Sequence, residues 1–233
     1  MSVVAIVLAA GRGERFGGDV PKGFTSLAGR SLLAHSVLAL AASPEIDRVL
    51  PVVPVDLDAR AKGCLAEFDG VEKALPPVVG GAERQDSMRA GLAAVPAGTA
   101  FVAVHDAARP LVPPSRVSAV VRAAREHGAA LLAIPVRDTL KRAEAGRVVE
   151  TPERAGFFAA QTPQVFRVEL LREGLAKAEA QGRRASDDAA LVEALGVPVH
   201  LVPGDPENLK ITVPSDLAAA EAWLAGRRPE WEA

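Results

Sequence analysis

A mostly parallel α/β sheet flanked by helices is the fold class this sequence predicts, and three observations predict it. Short apolar runs alternate with helix-period segments along most of the chain. The first run, residues 3–10, is apolar on every side, as suits a central parallel strand covered on both faces. That run passes abruptly into a loop rich in glycine and cationic side chains, at the strand end where open α/β sheets meet their ligands. The 233 residues read as one domain, residues 1–233, because no Pro- or Ser-rich linker and no internal repeat divides them. An apolar content of 49% is ample for a full core.

A formal charge of −2 argues against nucleic acid or a membrane surface as the main partner, so local basic clusters should serve small anions. No apolar run approaches the roughly 20 residues that span a bilayer, and no basic segment precedes residues 3–10 as in a signal peptide. A cytoplasmic protein is expected. Cys64 is the one cysteine, which allows neither an internal disulfide nor a thiolate metal cluster.

In the loop after the first strand, Gly11 and Gly13 let the backbone turn tightly and approach a ligand. Arg12, Arg15 and Lys22 add positive charge where bare N–H groups are exposed. Such a loop suits a polyphosphate. It is not a P-loop, since no Gly-Lys-Ser or Gly-Lys-Thr occurs and Lys22 follows a proline. It is not a dinucleotide fingerprint either: Phe16 stands where the third glycine belongs, and residues 31–42 carry no acidic residue to hold a ribose. A plain glycine-rich turn with solvated charges is the alternative.

The elements follow in order. Ser31 caps a helix whose Leu32, Leu33, Ser36, Val37 and Leu40 share one face, stopped at Ser43-Pro44. A strand at 48–53, a helix over 57–68 and a short strand at 77–79 come next. The octet Gly80-Gly81-Ala82-Glu83-Arg84-Gln85-Asp86-Ser87 then repeats the design of the opening loop. It leads into a helix to about residue 94 and places Arg84 and Ser87 at its first turn, unless it is an ordinary helix cap. The strand at 100–104 delivers His105-Asp106-Ala107-Ala108-Arg109-Pro110 at its carboxyl end. A carboxylate beside a cation-rich loop suits a hard divalent ion bridging it to phosphate oxygens, which makes Asp106 the metal candidate. Its alternative is a structural bridge to Arg109.

Ser115 is expected to cap a helix ending at His127-Gly128, before a buried strand at 129–135. The alternation breaks at residues 137–143 and 147–151, which flank a turn at 144–146 and read as a protruding β-hairpin arm, about 137–154. An isolated two-stranded hairpin is marginal in water, so a second copy of the chain is an economical packing partner. The string Gln161-Thr162-Pro163-Gln164-Val165-Phe166 precedes a helix over 168–180. Ser186-Asp187-Asp188 then caps another helix to Leu195. A strand at 197–202, the string Asn208-Leu209-Lys210 and a helix capped by Ser215 or Asp216 complete the chain.

Nearly end to end, the chain resembles the 2-C-methyl-D-erythritol 4-phosphate cytidylyltransferases of the non-mevalonate isoprenoid pathway. The residues that carry the likeness are Leu8-Ala9-Ala10-Gly11 with Gly13, Arg15 and Pro21-Lys22; Gly80-Gly81 with Arg84 and Ser87; His105-Asp106-Ala107-Ala108-Arg109-Pro110; Pro135-Val136-Arg137-Asp138-Thr139; Thr162-Pro163-Gln164; and Asn208-Leu209-Lys210. The resemblance implies a single-domain, Rossmann-like nucleotidyltransferase fold and a Mg²⁺-dependent attack of methylerythritol phosphate on the α-phosphorus of CTP. Arg15 and Lys22 would stabilise the transition state, and Asp106 would hold metal and substrate. Ala9, Ala10, Gly11, Gly13, Gly81, Ala82, Arg84 and Ser87 would bind the nucleotide. Arg109, Thr139, Ser186 and Lys210 would position the acceptor, with Arg154 reaching across a homodimer on the arm. Gly23 stands where many relatives carry Gln, which puts any side-chain contact from that position in doubt.

The residue types suit that chemistry independently of the resemblance. Phosphoryl transfer needs positioning and charge neutralisation, and the chain offers cations and a carboxylate but no nucleophile-and-base pair. A phosphate monoester is largely ionised near neutral pH, its second pKa being about 6, so the nucleophile arrives already charged. The competing readings are a ribitol 5-phosphate cytidylyltransferase, a nicotinamide-dependent dehydrogenase and a catalytically inert nucleotide-binding regulator.

Overall fold

The computed structural model describes residues 1–11, 21–57, 63–68 and 71–226. The first half supplies strands β1 (Ser2–Leu8), β2 (Ser26–Leu27), β3 (Arg30–Ser31), β4 (Arg48–Val53), β5 (Val78–Val79) and β6 (Thr99–Asp106). The second supplies β7 (Ala129–Pro135), β8 (Arg142–Glu144), β9 (Arg147–Glu150), β10 (Phe158–Arg167) and β11 (His200–Pro203). Helices α1 (Leu32–Ala41), α2 (Arg84–Ala94), α3 (Pro114–His127), α4 (Val168–Ala180), α5 (Ala189–Glu193) and α6 (Pro214–Gly226) lie between them. Among the described residues the main sheet has seven strands in the order β11-β7-β10-β6-β1-β4-β5. Every pairing in it is parallel except the two made by β10.

The strand β1 sits mid-sheet because both of its faces are apolar. Val3, Ala5 and Val7 face Leu33, Val37 and Leu40 of α1 and Val117, Val120 and Val121 of α3. Val4 and Ile6 face Met88 and Leu92 of α2 and Leu171 and Leu175 of α4. Burying each such side chain is worth about 1.5–3 kcal/mol, so the two helical layers hold the sheet from both sides.

Local signals behave much as the sequence predicts. Ser31 caps α1, its Oγ accepting from Ala34 N at 3.1 Å, and Gly128 ends α3 with φ of 91°. Ser115 is not a cap: α3 begins one residue earlier with Pro114 in the first turn, where a missing N–H costs nothing. Asp188 precedes α5 without a side-chain cap bond, and Asp187 accepts from Ala190 N at 3.0 Å instead. Within the expected helix over 57–68, residues 58–62 lie outside the described residues, and its end is the 3₁₀ turn Ala66–Phe68. The last strand is His200–Pro203, displaced from the expected 197–202.

The element that alternation does not foretell is β10. It returns from the arm without a crossover helix, so it enters the sheet antiparallel between β7 and β6. Its ladder to β7 breaks between Ala160 and Gln164, where Pro163 has no N–H to donate. Beside that break Thr162 meets the carboxyl end of β6 at Asp106, and Gln161 meets the segment from Asp205 to Asn208. The arm is the separate pair β8–β9, turning at Ala145 (φ 46°) and Gly146 (φ 77°).

Candidate functional site

The loops after β1, β5 and β6 meet beyond the carboxyl ends of the parallel strands. Ala9 N donates to Val52 O at 2.8 Å, Gly80 N to Val53 O at 2.8 Å and Ala107 N to Leu8 O at 3.1 Å. Gly80 lets the octet close on β1: a Cβ there would lie 2.6 Å from Ala10 Cβ and 2.7 Å from Ser87 Oγ. At Gly81 a Cβ would lie 2.3 Å from Asp86 Cβ. Ser87 is buried, with its hydroxyl directed at Glu83 O, 3.1 Å, and Gly81 O, 3.3 Å. Gly81, Ala82 and Gly11 are exposed along this rim, Ala10 is half-buried and Ala9 is buried. Gly23 is buried where a Cβ would lie 3.0 Å from Ala9 Cβ, so the absent side chain lets the 3₁₀ turn at Lys22–Phe24 pack on the end of β1.

Asp106 lies at the centre of the polar groups. Its Oδ1 accepts from Arg84 Nε at 3.2 Å and its Oδ2 from Lys210 Nζ at 2.7 Å. Burial pushes this carboxyl up, but Arg84 and Lys210 pull harder and hold it well below the usual carboxylate range. Arg84 also reaches Asp188 Oδ2 at 2.7 Å. Burial pulls the guanidinium down, yet Asp188 and Asp106 together raise it above its ordinary value. Asp106 therefore pairs with Arg84 and Lys210, where an Arg109 bridge was the sequence alternative. Arg84, read as a nucleotide ligand, has its guanidinium divided between two carboxylates.

The hydrogen bonds fix the state of His105. Asp106 N donates to Thr162 Oγ1 at 3.1 Å, so the Thr162 hydroxyl is free to donate to His105 Nδ1 at 3.0 Å. Nδ1 is then the acceptor, and Nε2 carries the proton toward Arg109 O at 3.1 Å. Burial pulls this imidazole down to about 4, partly opposed by Asp106, so the ring is neutral near pH 7. With both nitrogens engaged, His105 is a bolt between Thr162 and Arg109 and has no atom left to act as a base.

Arg109 bonds inward. It donates to Asn208 O at 2.7 Å and Ala160 O at 3.2 Å. Gln161 completes the clamp, with its Nε2 donating to Asp205 O at 2.7 Å while Oε1 accepts from Asp205 N at 3.1 Å. Ile211 N bonds Ala108 O at 2.8 Å, and Lys22 Nζ donates to Ile211 O at 2.9 Å. Lys22 and Lys210 are thus brought to adjacent points of one loop.

Of the expected site residues, Arg84, Asp106 and Lys210 are joined by ion pairs, Lys22 and Arg109 reach the segment around Lys210, Gly81 and Ser87 meet beside Ala10, and Ser186 is exposed two residues before Asp188. Arg15 and Gly13 lie outside the described residues. Thr139 and Arg154 are exposed at the arm, where Arg154 donates to Arg137 O. Among the described residues no hydrogen bond or ion pair links either to the Asp106 cluster. The sequence assigns no site role to Gln161, Thr162, Gln164 and Asn208, which appear only as parts of motifs, or to Asp188, read as a helix cap; all five are buried. The available signal was the set of polar side chains inside the otherwise apolar stretch around Val165 and Phe166, since a buried polar group requires a partner.

Asp106 suits a cation. As an anion it has about four lone-pair sites and spends two on Arg84 and Lys210. Among the described residues no group of three or more His, Cys, Asp or Glu could enclose a metal alone. One carboxylate completed by substrate phosphates is the way Mg²⁺ is usually held.

A mostly parallel sheet whose strand ends carry glycine loops, lysines and the lowered carboxyl of Asp106 is the arrangement of an α/β enzyme that takes an anionic substrate. The family described as 2-C-methyl-D-erythritol 4-phosphate cytidylyltransferase matches residues 3–226. A relative of that name from Desulforamulus reducens is 42% identical over 227 residues, covering 97% of each chain. One from Deinococcus radiodurans is 48% identical over 218 residues, covering 94% of this chain and 88% of the other. The crystal structure of the Thermus thermophilus protein of that name superposes with a TM-score of 0.79 at 38% identity, covering 97% of this chain and all of that one. The chain belongs to the 2-C-methyl-D-erythritol 4-phosphate cytidylyltransferase family.

Proposed function

We propose that the chain transfers CMP from CTP to 2-C-methyl-D-erythritol 4-phosphate, giving 4-diphosphocytidyl-2-C-methyl-D-erythritol and pyrophosphate. The observation that carries this is the junction of Lys22, Lys210 and Asp106 beyond β1 and β6. The main obstacle is bringing two phosphates together, and the chain meets it with fixed cations in a partly desolvated crevice. Lys22 and Arg15 neutralise charge on the α-phosphorus as it becomes pentacoordinate. Lys210, Arg109, Thr139 and Ser186 orient the acceptor phosphate, which attacks without a general base. Gly81, Ala82 and Ser87, with the Ala9-Ala10 backbone, read cytosine, and Gly11, Gly13 and Arg84 take part in binding the nucleotide. Asp106 would hold Mg²⁺, which would supply charge neutralisation at the triphosphate.

The arm makes the homodimer. Val148, Val149, Phe157 and Phe158 are exposed apolar residues on or beside it, and a second copy covering them would bring Arg154 of the partner subunit toward the acceptor site. No helix among the described residues is long and apolar enough to cross a membrane, and a cytoplasmic location is part of this proposal. Pyrophosphate release with CTP, ATP, GTP and UTP against methylerythritol phosphate and ribitol 5-phosphate, with and without EDTA, tests base, acceptor and metal together. Release should require CTP, methylerythritol phosphate and the metal. A preference for ribitol 5-phosphate would overturn the acceptor assignment.

A further inference from the structure

We infer that Asp188 is a positioning residue for the acceptor side of this reaction, acting through the forked guanidinium of Arg84 on Asp106 and Lys210. The inference rests on the function proposed above. Asp188 is 1% exposed, precedes α5 and takes its ion pair from Arg84 at 2.7 Å. Arg84 in turn holds one oxygen of Asp106 at 3.2 Å, and the other oxygen of Asp106 holds Lys210 at 2.7 Å. Four side chains from four distant segments thus alternate in sign, and each fixes the next.

Stability does not account for the buried end of this chain. Taking a carboxylate out of water costs several kcal/mol, and a hydrophobic pair of similar volume would hold as well. A charge at Asp188 does what an apolar residue cannot: it stops Arg84 from swinging wholly onto Asp106 and competing with Lys210 there. The planar fork suits the task, because its donors point in fixed directions to two acceptors at once.

The segment carrying Asp188 is itself held firmly. Gln164 Nε2 donates to Asp187 Oδ2 at 2.8 Å, and its Oε1 accepts from Ala189 N at 3.0 Å. Gln85 Oε1 accepts from Ala185 N at 3.1 Å. Both sides of the exposed Ser186 are therefore anchored, one to β10 and the other to α2, whose preceding octet reads the base.

Steady-state kinetics of the full chain test this. Asp188→Asn should lower kcat/KM for methylerythritol phosphate by about 10- to 100-fold, the usual cost of removing an orienting partner, while the KM for CTP stays unchanged. In an Arg84→Met background the same substitution should add nothing further, a non-additivity that a merely structural carboxylate would not show. Additive losses, or wild-type kinetics in Asp188→Asn, would overturn the assignment. If Asp188→Asn does not fold, Arg84→Lys substitutes: a point charge cannot span both carboxylates, so a loss in kcat/KM for methylerythritol phosphate is expected and its absence counts against the clamp. A wild-type chain that released no pyrophosphate from CTP and methylerythritol phosphate would instead defeat the functional proposal, and this inference with it.

Discussion

Around Asp106, the side chains of His105, Gln161, Thr162, Asp188 and Asn208 are buried and each is tied to a segment far away in the chain. On the arm, every residue of β8 and β9 is exposed and its ion pairs stand at the surface. Gln161 alone reaches both Asp205 and Asn208, whereas Arg142 reaches only Glu144 and Glu150 of its own hairpin. Among the described residues, the Asp106 cluster is therefore held by bonds within one chain. The arm's position is left to whatever covers Val148, Val149, Phe157 and Phe158, and burying large apolar side chains stabilises far more than surface ion pairs do.

The largest effect should come from removing a crevice cation. Lys22→Ala, and likewise Arg15→Ala, should lower kcat by on the order of 10²–10³ while CTP still binds, the usual result of deleting one preorganised charge stabiliser. Thermal denaturation run in parallel should show a small shift, since the loss is in chemistry. A near-normal rate in either variant would sink its catalytic assignment.

Next comes pH, which separates the two regions by stability. His105 titrates at about 4 when folded against 6.5 ordinarily, so between those values the unfolded chain binds the extra proton. Stability from this group is full above about pH 6.5 and is lost as pH falls toward 4, a change on the order of 3 kcal/mol. The lowered Asp106 carboxyl acts in the same direction at still lower pH. Urea unfolding measured without divalent cation between pH 7 and 4 should show the loss, and His105→Asn should flatten it. An unchanged slope in that variant would mean the imidazole is not locked as its bonds imply.

A third effect belongs to the arm. Arg154→Ala should raise the KM for methylerythritol phosphate about tenfold, the cost of one hydrogen bond from a charged group, and leave CTP alone. Mixing Arg154→Ala chains with Lys22→Ala chains should restore part of the activity, because the mixed dimer holds one site with both residues intact. If mixing restores nothing, the arm does not act between subunits.

Legibility follows the same division. The parallel strands, their helices and the glycine rims are read directly, because burial on two faces leaves a continuous apolar run and a tight turn demands glycine. Asp106 was legible from its place at the end of β6. Its partners were not: Lys210 lies 104 positions away, and no local pattern reports a pairing made only when loops meet over a sheet edge. The strand β10 hid for a related reason. Its polar Gln161, Thr162 and Gln164 look like a loop by composition, yet each is buried because a distant segment satisfies it.

The smallest effect sharpens the comparison most. Arg142 pairs with Glu144 and Glu150 in full solvent contact, its side chain 56% exposed. Exposed pairs of this kind are worth about 0–1 kcal/mol and are screened by salt, so Arg142→Ala should leave the melting temperature of the crevice-bearing domain within a few degrees. A comparable substitution beside the crevice, Gln161→Ala, removes the partner of the half-buried Asp205 N and one of the two donors to Asp205 O, at about 1–3 kcal/mol in all. If Arg142→Ala instead lowers the melting temperature in a way that depends on protein concentration, light scattering should show dimers coming apart. The hairpin's ion pairs would then be interface contacts whose strength comes from the second copy that covers them.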